Sequence, residues 1–190
     1  MYRRYQGFRL TPLAFIITVN CLLFIATVIA PDLIFLLGLN RPNFLNRPWT
    51  IVTNLFIHSS LWHLVANMLT FYFFGRYLSR LIGQSKLLIV YFCGGILGNI
   101  FFLILALPFS IGIGASGAVF ALGGVLAVMR PKLRVLVFPV PVPLPLWAAV
   151  IGGFLIVSLL PHVAWQAHLG GLVFGLVAGY FLRRHQHHFF

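Results

Sequence analysis

Apolar runs of about twenty residues alternate with short polar breaks along this chain. Runs fall at about residues 10–30, 60–81, 87–107, 115–129, 146–160 and 165–182. A helix rises 1.5 Å per residue, so about 20 apolar residues cross a hydrocarbon core of ~30 Å. The pattern therefore predicts six transmembrane helices in one domain over residues 1–190. The fourth run reaches only roughly 22 Å, so its start is expected below the membrane surface. The first run is too long for the apolar core of a signal peptide. Pro31 directly after Ala30 also makes a poor cleavage site.

Two breaks are longer than the rest. Residues 31–57 are half apolar and interrupted by Asn40, Arg41, Pro42, Asn43, Asn46, Arg47, Pro48 and Trp49. Such a mixture predicts short helices lying in the interface, with Trp49 as an interfacial anchor. Val135 to Pro145 holds four prolines, which rules out a helix and predicts an interfacial connector.

Composition supports the membrane reading. The chain is 61% hydrophobic and 7% charged over 190 residues, with a mean hydropathy of +1.04, far from soluble norms. Thirteen Lys and Arg face a single acid, Asp32. The basic residues sit in short clusters between apolar runs, a mark of topology rather than a nucleic-acid surface. With six spans, eleven of them fall on the side of the termini and only Arg41 and Arg47 on the other. The positive-inside rule then places the termini in the cytoplasm of a cell with this chain in its inner membrane. One carboxylate also excludes paired-aspartate proteolysis and a His-Glu-x-x-His zinc site, and argues against proton-coupled transport. Cys21 and Cys93 read as small buried hydrophobes.

Topology sorts the remaining polar residues by depth. The second, fourth and sixth helices start on the extracytoplasmic side, and each carries its unusual polar groups in its first two turns. These are His63 with Asn67, then Ser116, then His168. His63 and Asn67 are four residues apart and share a face. Ser116 is flanked by glycines at the start of an apolar helix, where unpaired N–H groups suit a developing oxyanion. His168 stands over Gly171, Gly175 and Gly179, a stripe that lets helices approach closely. A serine and a histidine brought together this way form a nucleophile and its base. Each feature taken singly fits helix packing; their convergence at one depth is what points to chemistry.

The motifs His58-Ser-Ser-Leu-Trp-His63-Leu-Val-Ala-Asn67, Gly114-Ala-Ser116-Gly and Ala167-His168-Leu-Gly-Gly171 resemble those of rhomboid intramembrane serine proteases. The likeness runs from about Trp49 to Tyr180. It implies an all-α, six-transmembrane-helix bundle that hydrolyses peptide bonds in or beside transmembrane segments of other proteins within the lipid bilayer. It implies Ser116 as nucleophile and His168 as general base, with His63, Asn67 and the Ser116 N–H as oxyanion hole. His58, Gly114, Phe120 and Trp49 would support the site, which opens to the extracytoplasmic side. No metal, nucleotide or organic cofactor is required. Asp32 has no motif linking it to His168, so a dyad is the consistent choice.

Three positions depart from the family pattern: Phe120 replaces a tyrosine, Thr50 follows Trp49 in place of arginine, and Ser79 takes the position of a glutamate. Two rivals remain at this level. One is an inactive rhomboid-like protein that binds membrane clients; the other is a channel or haem protein built on His58, His63, His162 and His168.

Overall fold

The structure, a computed structural model, describes residues 11–137 and 141–186, except the side chains of 185 and 186. The basic start of the chain, with Arg3, Arg4 and Arg9, the side chain of His185, and His187 and His188 therefore lie outside the described residues.

Helix α1 (Pro12–Ile29) begins with Pro at its first position, and the Thr11 hydroxyl accepts the Ala14 N–H at 3.2 Å. Both features suit a helix start, where N–H groups lack partners. Helix α2 (Leu33–Leu37) follows, then strand β1 (Leu39–Asn40), helix α3 (Thr50–Thr53) and a 3-10 turn (Asn54–Phe56). The end of α2 shows how this irregular loop holds itself together. Arg47 Nη1 donates to the Phe35 carbonyl, Trp49 Nε1 to Leu36 and Thr53 Oγ1 to Leu37. Three consecutive carbonyls that a helix end leaves open are thus closed by side chains from later in the chain.

Helix α4 (Leu61–Ile82) is capped by Ser60, whose hydroxyl accepts the His63 N–H at 3.1 Å. Gly83 has φ +84°, a region side chains rarely enter, and it breaks α4 from α5 (Gln84–Leu105). Strand β2 (Ile111–Gly112) pairs antiparallel with β1, Leu39 opposite Gly112. Helix α6 (Ser116–Met129) comes next, then a second short pair, β3 (Arg134–Val135) with β4 (Leu144–Pro145). Helices α7 (Leu146–Ser158) and α8 (Trp165–Gln186) complete the chain.

Among the described residues there are eight α-helices. Six fall where the apolar runs lie, and the two short ones, α2 and α3, sit in the polar break between the first and second runs. The third run starts three residues early, at Gln84, because the turn at Gly83 ends sooner than hydropathy suggests. Among the described residues, three helices are long and apolar enough to cross a membrane: Pro12–Ile29, Gln84–Leu105 and Trp165–Arg184. Helix α4 matches α5 in length, and α6 and α7 are shorter, at 14 and 13 residues. Large apolar side chains such as Leu22, Ile29, Phe73, Ile104, Ile156 and Phe181 face outward. So much exposed apolar surface fits a lipid surrounding.

Helix α6 is the axis of the bundle. Eleven of its fourteen residues are buried, as expected for a helix that is apolar on every side. Its closest partner is α8, and the contact is made of backbone. A Cβ on Gly171 would meet the Gly117 carbonyl, one on Gly175 the Ala121 carbonyl, and one on Gly124 the Leu172 carbonyl at 2.9 Å. Helix α5 joins through Gly98, where a Cβ would lie 2.5 Å from the Ala167 carbonyl. Small residues here replace side-chain packing with direct backbone contact.

Candidate active site

The backbone seam between α6 and α8 brings their first turns together. Ser116 opens α6, and His168 sits one turn into α8. The His168 Nε2 and the Ser116 Oγ are 2.7 Å apart. Both groups are largely enclosed, with His168 buried. The other ring nitrogen, Nδ1, is buried with no hydrogen-bond partner, so no carboxylate orients this imidazole. Packing does so instead. The Phe120 ring, one turn below Ser116, lies 4.8 Å from the His168 ring at a tilt of 38°. A phenyl in this position supplies a flat wall and leaves the histidine free of a hydroxyl.

Gly114 stands at φ +117°. A Cβ there would come within 2.8 Å of both Cε1 and Nε2 of His63, and 3.7 Å from the Ser116 Oγ. Only glycine suits that backbone and that space. The edge of His63 that bears Nε2 thus lies over Gly114, beside the serine. His58 is buried beneath it, its ring 4.9 Å from that of His63 and nearly perpendicular. Burial first, then the neighbouring His63, push His58 down to about 3, with a weaker opposing pull from the Phe56 backbone. His58 is therefore neutral at any ordinary pH.

Asn67 is buried one turn further down α4, and its amide Nδ2 donates to the His63 carbonyl at 2.9 Å. That uses one of the two amide protons and leaves the second for another acceptor. Trp49 is not in this cluster: it is half exposed and its indole holds the α2 end. Ser79 also lies elsewhere, its hydroxyl donating to the Arg76 carbonyl in its own helix.

Sequence reasoning passes over two residues that matter to the geometry. Asn54 and Asn99 are both buried and face each other head to tail, with N–H···O distances of 2.9 and 2.8 Å. Asn99 Nδ2 also donates to the Ile51 carbonyl at 2.7 Å, and the Asn54 carbonyl accepts the Gly114 N–H at 2.9 Å. The interfacial loop, α5 and the turn before Ser116 are thereby joined in one network. The available signal was a lone asparagine in the middle of an apolar helix, where an unpaired amide is costly.

A helical, lipid-facing bundle whose serine hydroxyl meets an imidazole at the head of a glycine seam defines a class of membrane protein. Residues 45–185 match the family described as the rhomboid domain. The chain belongs to the rhomboid family. It is similar to "Rhomboid protein 1, mitochondrial" of Saccharomyces cerevisiae, with 31% identity over 71% of this chain and 42% of that one. "RHOMBOID-like protein 1" of Arabidopsis thaliana is 33% identical over 75% of this chain and 36% of its own length. "Rhomboid-like protease 3" of Toxoplasma gondii is 34% identical over 42% and 30%. The match thus spans less than half the length of these relatives.

Proposed function

We propose that this chain is an intramembrane serine protease that cuts transmembrane proteins in or next to their membrane-spanning segments. The observation that carries this reading is the 2.7 Å contact between Ser116 Oγ and His168 Nε2 in an apolar bundle. For His168 to act as base, Nε2 accepts the serine hydroxyl proton while Nδ1 keeps its own. The Ser116 oxygen attacks the substrate carbonyl, and the proton passes to His168. The oxyanion that forms is held by His63, by Asn67 and by the Ser116 N–H at the start of α6, where helix N–H groups are unpaired. His168 then gives its proton to the leaving amine, and water entering from the extracytoplasmic side releases the acyl group. A substrate helix must unwind locally first, because its carbonyls are closed by their own hydrogen bonds.

In this reading α1, α4, α5, α6, α7 and α8 all enter the bilayer, and the short helices α2 and α3 lie in its outer interface. In the same reading the termini lie on the cytoplasmic side of the membrane, which the lopsided distribution of basic residues supports. His58, Gly114 and Phe120 support the site.

The test is labelling with a fluorophosphonate serine probe, together with cleavage of a transmembrane substrate in liposomes. The parent should label and cleave, and Ser116→Ala and His168→Ala should each abolish both. Because the pair acts as a unit, the double variant should be about as inactive as either single one. Labelling that survives in Ser116→Ala would overturn the assignment.

A further inference from the structure

His63 offers two ring nitrogens, and only one of them faces the serine. The other, Nδ1, points back toward the turn that starts α4. There the Ser59 backbone N–H donates to it at 3.5 Å, and the Ser59 hydroxyl lies 3.1 Å away. A backbone N–H cannot accept a hydrogen bond, so this long contact biases Nδ1 toward presenting its lone pair, and the nearer hydroxyl strengthens that bias by donating. A neutral imidazole with a lone pair on Nδ1 carries its proton on Nε2. With Nδ1 an acceptor, the Ser59 hydroxyl also turns to donate. The ring of His58 touches His63 edge-on, and no hydrogen bond passes between the two rings.

We propose that Ser59 is a positioning residue that fixes His63 with its proton on Nε2, the nitrogen beside Ser116. The inference rests on the proteolytic reading for its consequence, though not for the tautomer itself. With the proton on Nε2, His63 donates to the oxyanion. With the proton on Nδ1, the same ring would aim a lone pair at a developing negative charge. The heavy atoms occupy the same places in both tautomers; the two donors of Ser59 together, its N–H and its hydroxyl, favour the first. The turn is well suited to the task. Ser60 caps the helix through the His63 N–H, which fixes the backbone, and Ser59 next to it holds the side chain. Two adjacent serines thus secure one histidine at both ends.

The test pairs a spectroscopic readout with kinetics. Nitrogen-15 resonances of labelled His63 in lipid nanodiscs report which nitrogen bears the proton and whether Nδ1 accepts a hydrogen bond. The parent should show protonated Nε2 and a hydrogen-bonded Nδ1. Ser59→Ala keeps the longer backbone contact only, so its Nδ1 resonance should move toward the unbonded value and the Nδ1–H form should gain population. Turnover should fall roughly 3- to 10-fold, the scale of one net hydrogen bond, with KM unchanged because the oxyanion exists only after attack. Ser59→Thr keeps the hydroxyl and should restore both readouts. Ser59 is exposed, so neither change threatens the fold. A parent with protonated Nδ1, an unmoved Nδ1 resonance in Ser59→Ala, or parental turnover in that variant would overturn the proposal. A parent that shows the expected resonances and cleaves nothing would instead sink the proteolytic reading alone.

Discussion

Helices α6 and α7 have nearly the same length, 14 and 13 residues, and nearly the same apolar, glycine-containing composition. They occupy opposite situations. Helix α6 buries eleven residues, whereas α7 buries only Leu146 and Val150. Glycine means different things in the two. A Cβ on Gly124 in α6 would press on the backbone of α8, while at Gly152 and Gly153 in α7 it would meet nothing within 4 Å. Helix α7 touches the core through Leu146, Val150 and Phe154, the last meeting the Phe120 ring edge-on at 5.9 Å. One glycine helix is a fixed joint; the other is a wall leaning on it. The lesson is that a small-residue stripe carries no meaning until its neighbour is known.

The sharpest break of this contrast is made in the joint. Gly171→Val puts branched carbon against the Gly117 carbonyl, and two backbones must separate to admit it. Overpacking of this kind costs typically ~1–3 kcal/mol and more where nothing can yield. Both thermal stability in detergent and probe labelling of Ser116 should fall severely. A variant with parental stability and labelling would show that the seam does not set the serine–histidine distance.

A second prediction concerns His58, buried just before α4. It is neutral when folded, whereas in the unfolded chain it takes a proton below its ordinary value of 6.5. The unfolded state therefore binds more protons between pH 6.5 and about 3, and stability falls with pH across that window. By pH 5 the loss amounts to about 2 kcal/mol. His58→Gln should be less stable than the parent at pH 7.5, and the gap should narrow as pH falls to 5. A constant gap across that range, followed by unfolding in mixed micelles, would refute it.

The smallest effect belongs to α7. Gly152→Ala enters open space and removes backbone freedom from the unfolded chain, so stability should rise by about 0.5–1 kcal/mol. A measured loss would mean that α7 is packed against something its surroundings do not show.

These differences mark what the sequence could and could not reveal. The helices were legible because a long apolar run has one physical solution in lipid, and three of the six runs form helices long and apolar enough to cross a membrane among the described residues. The meeting of Ser116 and His168 was legible because the glycines beneath His168 announce close approach. The breadth of the contrast between α6 and α7 was not, since both read as short apolar helices and burial depends on neighbours far away in the chain. The asparagine pair was hidden for the same reason: Asn54 lies in a loop that reads as polar, and its partner is 45 residues on. Nor could spacing show that Arg47, two residues before Trp49, closes a carbonyl of α2. Phe120 was legible as a ring, and its place against His168 follows from being one turn from Ser116.

The amide pair of Asn54 and Asn99 has a consequence for how the protein tolerates its surroundings. Bilayers differ in thickness, and helices answer a mismatch by tilting or by letting flanking residues reach for the interface. A turn hung from the membrane surface would ride up and down with each such adjustment. Here the turn before Ser116 hangs instead from the Asn54 carbonyl, which is pinned to the middle of α5. Its height is measured from inside the bundle, as a survey mark is cut in bedrock rather than painted on the shore. A thinner or thicker bilayer can therefore lean the whole bundle over and still leave that elevation unchanged.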